Sequence, residues 1–269
     1  MIRLLLLLSI TTLAGCSSLP TASPGDGHFV ARSLQFEGRT FPYQVFVPAQ
    51  RGATGTGTGT GTGTPIVLFL HGSGERGSDG RRQLSAGVGP WLKDNADSFP
   101  ALVVLPQAPK HEEWLGRNAR MALAALDAAS LEFQGDPQRT YLTGMSMGGY
   151  GTWELALMQP QRFAALVPVC AAIKAPPGER PTLLVDQLAS EADPYRAVIT
   201  RLHNVPIWMF HGADDDVVPP DDARRLEQVA LAENANVRYT EYPDTNHNAW
   251  DPTYQNPAMW QWLWQQHRD

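Results

Sequence analysis

Ser146 is the residue of this chain best placed to do covalent chemistry. It sits in Gly144-Met145-Ser146-Met147-Gly148, the spacing G-x-S-x-G, with a β-forming run from Tyr141 before it and a helical pattern after it. Strand, sharp turn and helix in that order form a nucleophile elbow. A serine hydroxyl is a weak nucleophile at neutral pH, so it must be held at an exposed turn beside a base that takes its proton. Glycines two residues to either side relieve the crowding of so tight a turn, and Gly149 lets the following helix sit close to the sheet. That helix directs free N–H groups and its dipole at the site, which favours a developing oxyanion.

Three more segments carry matching chemistry. The apolar run 207–210 leads into Asp214-Asp215-Asp216, and the run 237–242 leads into His247, so a carboxylate and an imidazole fall just past strand ends. The run 66–70 leads into His71-Gly-Ser73-Gly-Glu-Arg-Gly77, a glycine-rich turn. Such a turn can offer a backbone N–H to an oxyanion, and Ser73 and Met147 are the expected donors. Ligand and catalytic groups in open α/β sheets gather at the carboxyl ends of strands, and all four segments meet that condition.

The elements that would position them alternate. Strand-like runs fall at 41–47, 66–70, 102–105, 140–143, 165–170, 207–210 and 237–242, with helical patterns at 84–92, 119–133, 147–158, 220–233 and 257–266. Buried strands alternating with helices predict an α/β fold with a mostly parallel central sheet and helices on both faces. The Thr-Gly tract at 54–64 is low in complexity and cannot pack a core, so it reads as a loop dispensable for catalysis. Residues 171–204 are long for a connection and could cap the site.

The remaining histidines have plainer readings. His71 and His211 each precede a glycine at a strand end and are expected to shape the turn or hydrogen-bond locally, while His28, His111, His203 and His267 have no partners at metal-ligand spacing. No metal and no cofactor are expected. Trp114 and Trp250 lie in loops near the site, either as the lining of a substrate pocket or as packing beneath the catalytic loops.

At the N-terminus, Arg3 precedes a leucine run and then Leu13-Ala-Gly-Cys16, the pattern of an export signal. Residues 1–15 are expected to be the signal peptide, 16–28 a flexible tether and 29–269 one domain. If Cys16 carries lipid, Cys170 is left without a disulfide partner, so the fold must stand on its core. Hydrophobic residues make up 43% of the chain, enough for that core, and a formal net charge of −6 argues against nucleic acid as a partner.

Two resemblances follow from these motifs. Leu-Ala-Gly-Cys16 resembles the bacterial lipobox, which implies acylation of Cys16, a membrane anchor and, with Ser17 next, an exported lipoprotein of the outer membrane. From about Phe41 to Trp250 the chain resembles the bacterial carboxylesterase and dienelactone-hydrolase-like branch of the α/β-hydrolases, near the polyhydroxybutyrate-depolymerase-like and predicted-peptidase groups. The pieces that carry this are the 70–77 turn, the stretch Asp136 to Trp153, Phe163-Ala-Ala-Leu and Phe210-His-Gly-Ala-Asp-Asp-Asp-Val-Val-Pro. The chain order serine, aspartate, histidine is the α/β-hydrolase order. The resemblance implies a serine hydrolase of small-molecule or polymeric esters, with Ser146 as nucleophile, His247 as base and then acid, and an acidic residue orienting the imidazole. By analogy with related esterases that acid is Asp215, with Asp214 and Asp216 as turn formers. The same machinery cuts amides, so a peptidase is the enzymatic alternative, and a non-catalytic binding scaffold is the alternative from another class. Dienelactone hydrolase chemistry is disfavoured because serine stands where that enzyme has cysteine. The oligomeric state is left open.

Overall fold

Eight strands form one sheet in the order β1-β2-β4-β3-β5-β6-β7-β8. The computed structural model describes residues 26–49, 63–176 and 180–268. The signal peptide, Cys16, most of the tether and nearly all of the Thr-Gly tract therefore lie outside the described residues. The strands are β1 (His28–Phe36), β2 (Arg39–Val47), β3 (Thr64–Leu70), β4 (Leu102–Pro106), β5 (Gly135–Met145), β6 (Ala165–Val169), β7 (Ile207–Gly212) and β8 (Val237–Tyr242). The β1–β2 and β2–β4 pairs are antiparallel; β4, β3, β5, β6, β7 and β8 run parallel. This is the α/β-hydrolase fold.

Parallel strands in the middle of such a sheet need apolar side chains on both faces. In β3, Ile66, Leu68 and Leu70 join one core cluster, while Val67 and Phe69 join the other. Helices α2 (Gly116–Phe133), α3 (Met147–Met158), α4 (Pro194–Arg201) and α5 (Asp221–Ala232) cover the first face. Helices α1 (Val88–Asp94), α6 (Trp250–Tyr254) and α7 (Pro257–Trp264) cover the second. Every residue of α3 from Met147 to Leu157 is buried, so this helix is packed all round, and its N-terminus is fixed in space by the core rather than by its own caps.

Among the strands and α-helices, β1, α4 and the short α6 went unread in the sequence. Strand β1 pairs along its whole length with β2 around the turn Glu37-Gly38, both at positive φ. Glu37 is held there by Arg117 and Arg120 of α2. The signal was present: Val30, Leu34 and Phe36 face inward in alternation with exposed Ala31, Ser33 and Gln35. Helix α4 also escaped notice, although Asp193 and Pro194 are a sound start signal. The Asp193 side chain accepts from the Arg196 N–H, and Pro194 occupies the first turn. The segment before it differs from a loose cap, because Leu183, Val185 and Leu188 are buried in the core cluster that holds α3.

Candidate active site

The elbow is built where β5 runs out. Ser146 has φ 53° and ψ −121°, a region in which L-residues are strained and which persists only when the surroundings enforce it. Its N–H is bonded to the Val169 carbonyl at 2.9 Å, and its carbonyl accepts from Gly149 and Tyr150, which starts α3. Space decides the flanking residues. A Cβ on Gly144 would stand 2.2 Å from the Gly148 oxygen, and one on Gly148 would stand 1.9 Å from the Leu70 oxygen. Neither contact has a flexible side-chain end to yield. Gly148→Ala is therefore expected to destabilise the fold by about 3 kcal/mol or more, readable as a large loss of melting temperature or of soluble protein. A variant that melts with the wild type would show that the elbow tolerates a side chain.

Three strand ends meet at Ser146 Oγ, which lies 2.9 Å from His247 Nε2. On the other edge of the ring, His247 Nδ1 lies 2.8 Å from Asp215 Oδ2. Among the three adjacent aspartates only Asp215 is buried; Asp214 and Asp216 are exposed. The Asp215 carboxylate is fully partnered. Its Oδ1 accepts from the Val217 and Val218 N–H groups at 3.0 and 2.9 Å. Burial works against its ionisation, yet hydrogen bonds from His211, His247 and Val218 and the charge of His247 outweigh it, holding the carboxyl well below the usual carboxylate range.

His211 does more than shape its turn. Its Nε2 lies 2.8 Å from the Val218 carbonyl and 3.2 Å from Asp215 Oδ2. A carbonyl only accepts, so Nε2 carries the proton and shares it with the carboxylate. The spacing from His211 to Asp215 within one turn was the available signal for this contact. His71 bonds locally on one edge only: Nδ1 meets the Gly72 carbonyl at 2.6 Å, while Nε2 accepts from the N–H of Ala108, 37 residues away, at 3.0 Å.

Burial pushes the His71 imidazole down to about 4. A neutral buried histidine has a lower pKa folded than unfolded, so between about 6.5 and 4 the unfolded chain binds the extra proton. Stability is then complete above about pH 6.5 and falls as pH drops towards 4, by about 3 kcal/mol from this group alone. Denaturant unfolding across that window should show the loss, and His71→Gln should flatten it; an unchanged slope in the variant would assign the effect elsewhere.

Leu70 and Gly144 are neighbours on one rung of the parallel ladder, so Ser73 and Ser146 lie three and two residues beyond it. Ser73 opens the 3-10 turn Ser73–Glu75, and Met147 is the first residue of α3.

The pocket reading of Trp114 requires correction. The side chain is 1% exposed, its Nε1 donates to the His71 carbonyl at 3.0 Å, and its ring stands edge-on to the His71 ring. It braces the 71–77 turn from beneath and offers no face to a substrate. Trp250 is half-buried, with its ring perpendicular to the His247 ring at 5.3 Å; it packs against the imidazole. Cys170 sits behind the site, its Sγ 3.0 Å from the His247 carbonyl. Cys170, Asp215 and His247 bring ligand-type atoms within 4.8 Å of one another. The donor set suits hydrogen bonding better than a metal: burial pushes the thiol up to about 12, and Asp215 and His247 already spend Oδ2 and Nδ1 on each other.

A hydroxyl, an imidazole and an ionised carboxylate linked in this order can move a proton off the serine and stabilise the imidazolium that results. The fold and this arrangement define an α/β-hydrolase with a serine at the elbow. The chain belongs to the Esterase family ("Putative esterase"), whose model matches residues 101–266. It is similar to a thermostable esterase of known structure, at 28% identity and a TM-score of 0.68 over 89% of this chain and 63% of that one. It also resembles FphF, a fluorophosphonate-binding serine hydrolase of Staphylococcus aureus, at 19% identity and a TM-score of 0.67 over 89% of this chain and 99% of that one. An uncharacterized secreted protein of Arthroderma benhamiae is 25% identical over 214 residues, 68% of this chain. The chain spans 21% of the length of that relative and under two thirds of the thermostable esterase.

Proposed function

We propose that the protein hydrolyses carboxylic esters through an acyl-enzyme formed on Ser146. His247 takes the Ser146 proton as Oγ attacks the ester carbonyl, and Asp215 holds the imidazole with Nε2 free to accept. The Ser73 and Met147 N–H groups receive the oxyanion. As the tetrahedral intermediate collapses, His247 gives the proton to the leaving alcohol, then activates water to release the acid. The observation that carries this reading is the continuous contact from Ser146 Oγ through His247 to Asp215 at 2.9 and 2.8 Å. It is reinforced by membership of the Esterase family.

The test is hydrolysis of a p-nitrophenyl ester series, from acetate to long acyl chains, followed before and during steady state. An initial burst of p-nitrophenol close to the enzyme concentration is expected, because an acyl-enzyme accumulates when deacylation is slower than acylation. Folded protein that cleaves anilides and not esters would make it a peptidase. Protein that neither turns over nor reacts with a fluorophosphonate would be a binding scaffold.

The proposal extends to location. On the strength of Leu-Ala-Gly-Cys16, the chain is an exported lipoprotein, acylated at Cys16 and held at the outer membrane. Labelling of cells with a clickable fatty acid should mark the wild type and not Cys16→Ala; a marked variant would place the lipid elsewhere, and an unmarked wild type would remove it from the account.

A further inference from the structure

The turn that carries Ser73 needs bracing where its backbone is freest. Residues 72–77 include Gly72, Gly74 and Gly77, and a Cβ on Gly74 would meet nothing within 4 Å, so next to Ser73 high backbone freedom is combined with open surroundings. A backbone N–H stabilises an oxyanion strongly only if it points at the right place before the charge develops. Something outside the turn must hold it.

Arg180, from outside, does so together with Arg76 of the turn itself, while the Gln107 amide on the Glu75 carbonyl and the Gly77 N–H on the Ala108 carbonyl hold its far end. The Ser73 carbonyl accepts from Arg76 Nε at 3.0 Å, and the Ser73 hydroxyl accepts from Arg180 Nη1. Both arginines converge on Glu113. Arg180 Nη2 donates to its two carboxylate oxygens at 2.7 and 2.8 Å, and Arg76 Nη1 lies 3.9 Å from Oε1. Glu113 is a firm anchor. Its side chain is 11% exposed, and it precedes Trp114, whose indole grips the His71 carbonyl. Arg180 comes from the segment between β6 and α4, 107 residues from Ser73 in sequence. Its planar fork lets one side chain hold a hydroxyl and a carboxylate together, which an ammonium cannot reproduce.

We infer that Arg180 is a positioning residue for ester hydrolysis: anchored on Glu113, it locks Ser73 through its hydroxyl so that the Ser73 N–H is aimed at the oxyanion. This rests on the reading of Ser73 given above. It assigns to the β6–α4 segment a part in the rate of the reaction, carried by a residue that need not touch substrate.

The test compares Arg180→Ala, Arg180→Lys, Ser73→Ala and the double variant Arg180→Ala/Ser73→Ala in the full-length protein. Ser73→Ala keeps the backbone N–H and removes only the hydroxyl. Arg180→Ala is expected to lower kcat about tenfold with KM little changed. Ser73→Ala should lose a similar factor, and the double variant should be no worse than the single ones, since both break the same link. Affinity for a trifluoromethyl ketone, which forms a tetrahedral adduct on the serine, should fall by the same factor as kcat. Arg180→Lys should recover only part of the loss, and it serves as the measured variant if the alanine change impairs folding. Wild-type kcat in Arg180→Ala, losses that multiply in the double variant, or a change confined to KM would each overturn the inference while leaving the esterase reading intact. Wild-type protein that neither hydrolyses esters nor labels with fluorophosphonate would overturn both.

Discussion

Ser146→Ala is expected to lower kcat/KM for an activated ester by about 100,000-fold, with a melting temperature close to that of the wild type. The loss is large because the hydroxyl is the atom that forms and breaks the covalent bond, so no neighbouring group shares its part. Residual hydrolysis would come from water activated by His247 and from the N–H groups left to receive an oxyanion. The small effect on stability follows from the backbone. The strained φ of 53° is already borne by a residue with a Cβ, and alanine keeps that Cβ. The side-chain bond given up is the one to His247 Nε2. Ester assays beside thermal melts check both halves. A folded variant within tenfold of the wild type would place the nucleophile elsewhere.

Asp215→Asn should lower kcat by about 10,000-fold, whereas Asp214→Asn and Asp216→Asn should leave it nearly unchanged. The asparagine has no good orientation. If its oxygen stays on the Val217 and Val218 N–H groups, its NH2 faces His247 Nδ1 and His211 Nε2. His247 must then present an unprotonated Nδ1, which puts the ring proton on Nε2 opposite Ser146 Oγ and leaves no base for the nucleophile. If the amide flips, the NH2 is pressed against two backbone donors. The first arrangement gives a stable and inactive protein; the second adds a stability penalty of about 1–3 kcal/mol for unpaired buried groups. Asp214 and Asp216 are exposed and touch neither histidine in the contacts described. Activity surviving in Asp215→Asn and lost in a neighbouring variant would reverse the choice.

The elbow and the helix that follows were legible because their causes are local. The tight turn at Ser146 and the absence of room at Gly144 and Gly148 involve residues within a few positions of one another, together with strand residues that pair in register. Helix α3 accordingly runs over the span expected of it, Met147–Met158. The alternation of buried strands with helical patterns was enough for the mostly parallel sheet, since a strand covered on both faces must be apolar throughout. Strand β1 was the exception. It is an edge strand with one wet face, and its polar residues masked the alternation.

What the sequence by itself determined is therefore the class of fold, the nucleophile and the carboxyl ends at which its partners stand, all properties of short-range sterics and hydrophobic period. The tertiary structure alone decided which of three aspartates is buried against His247, that His211 bonds the same carboxylate, that Trp114 lies beneath the 71–77 turn, and that Arg180 reaches Glu113 and Ser73. Each of these depends on burial or on contact between residues far apart in the chain. Adjacent aspartates are chemically identical until packing removes one of them from water, and a guanidinium has no assigned partner until the fold brings one within reach.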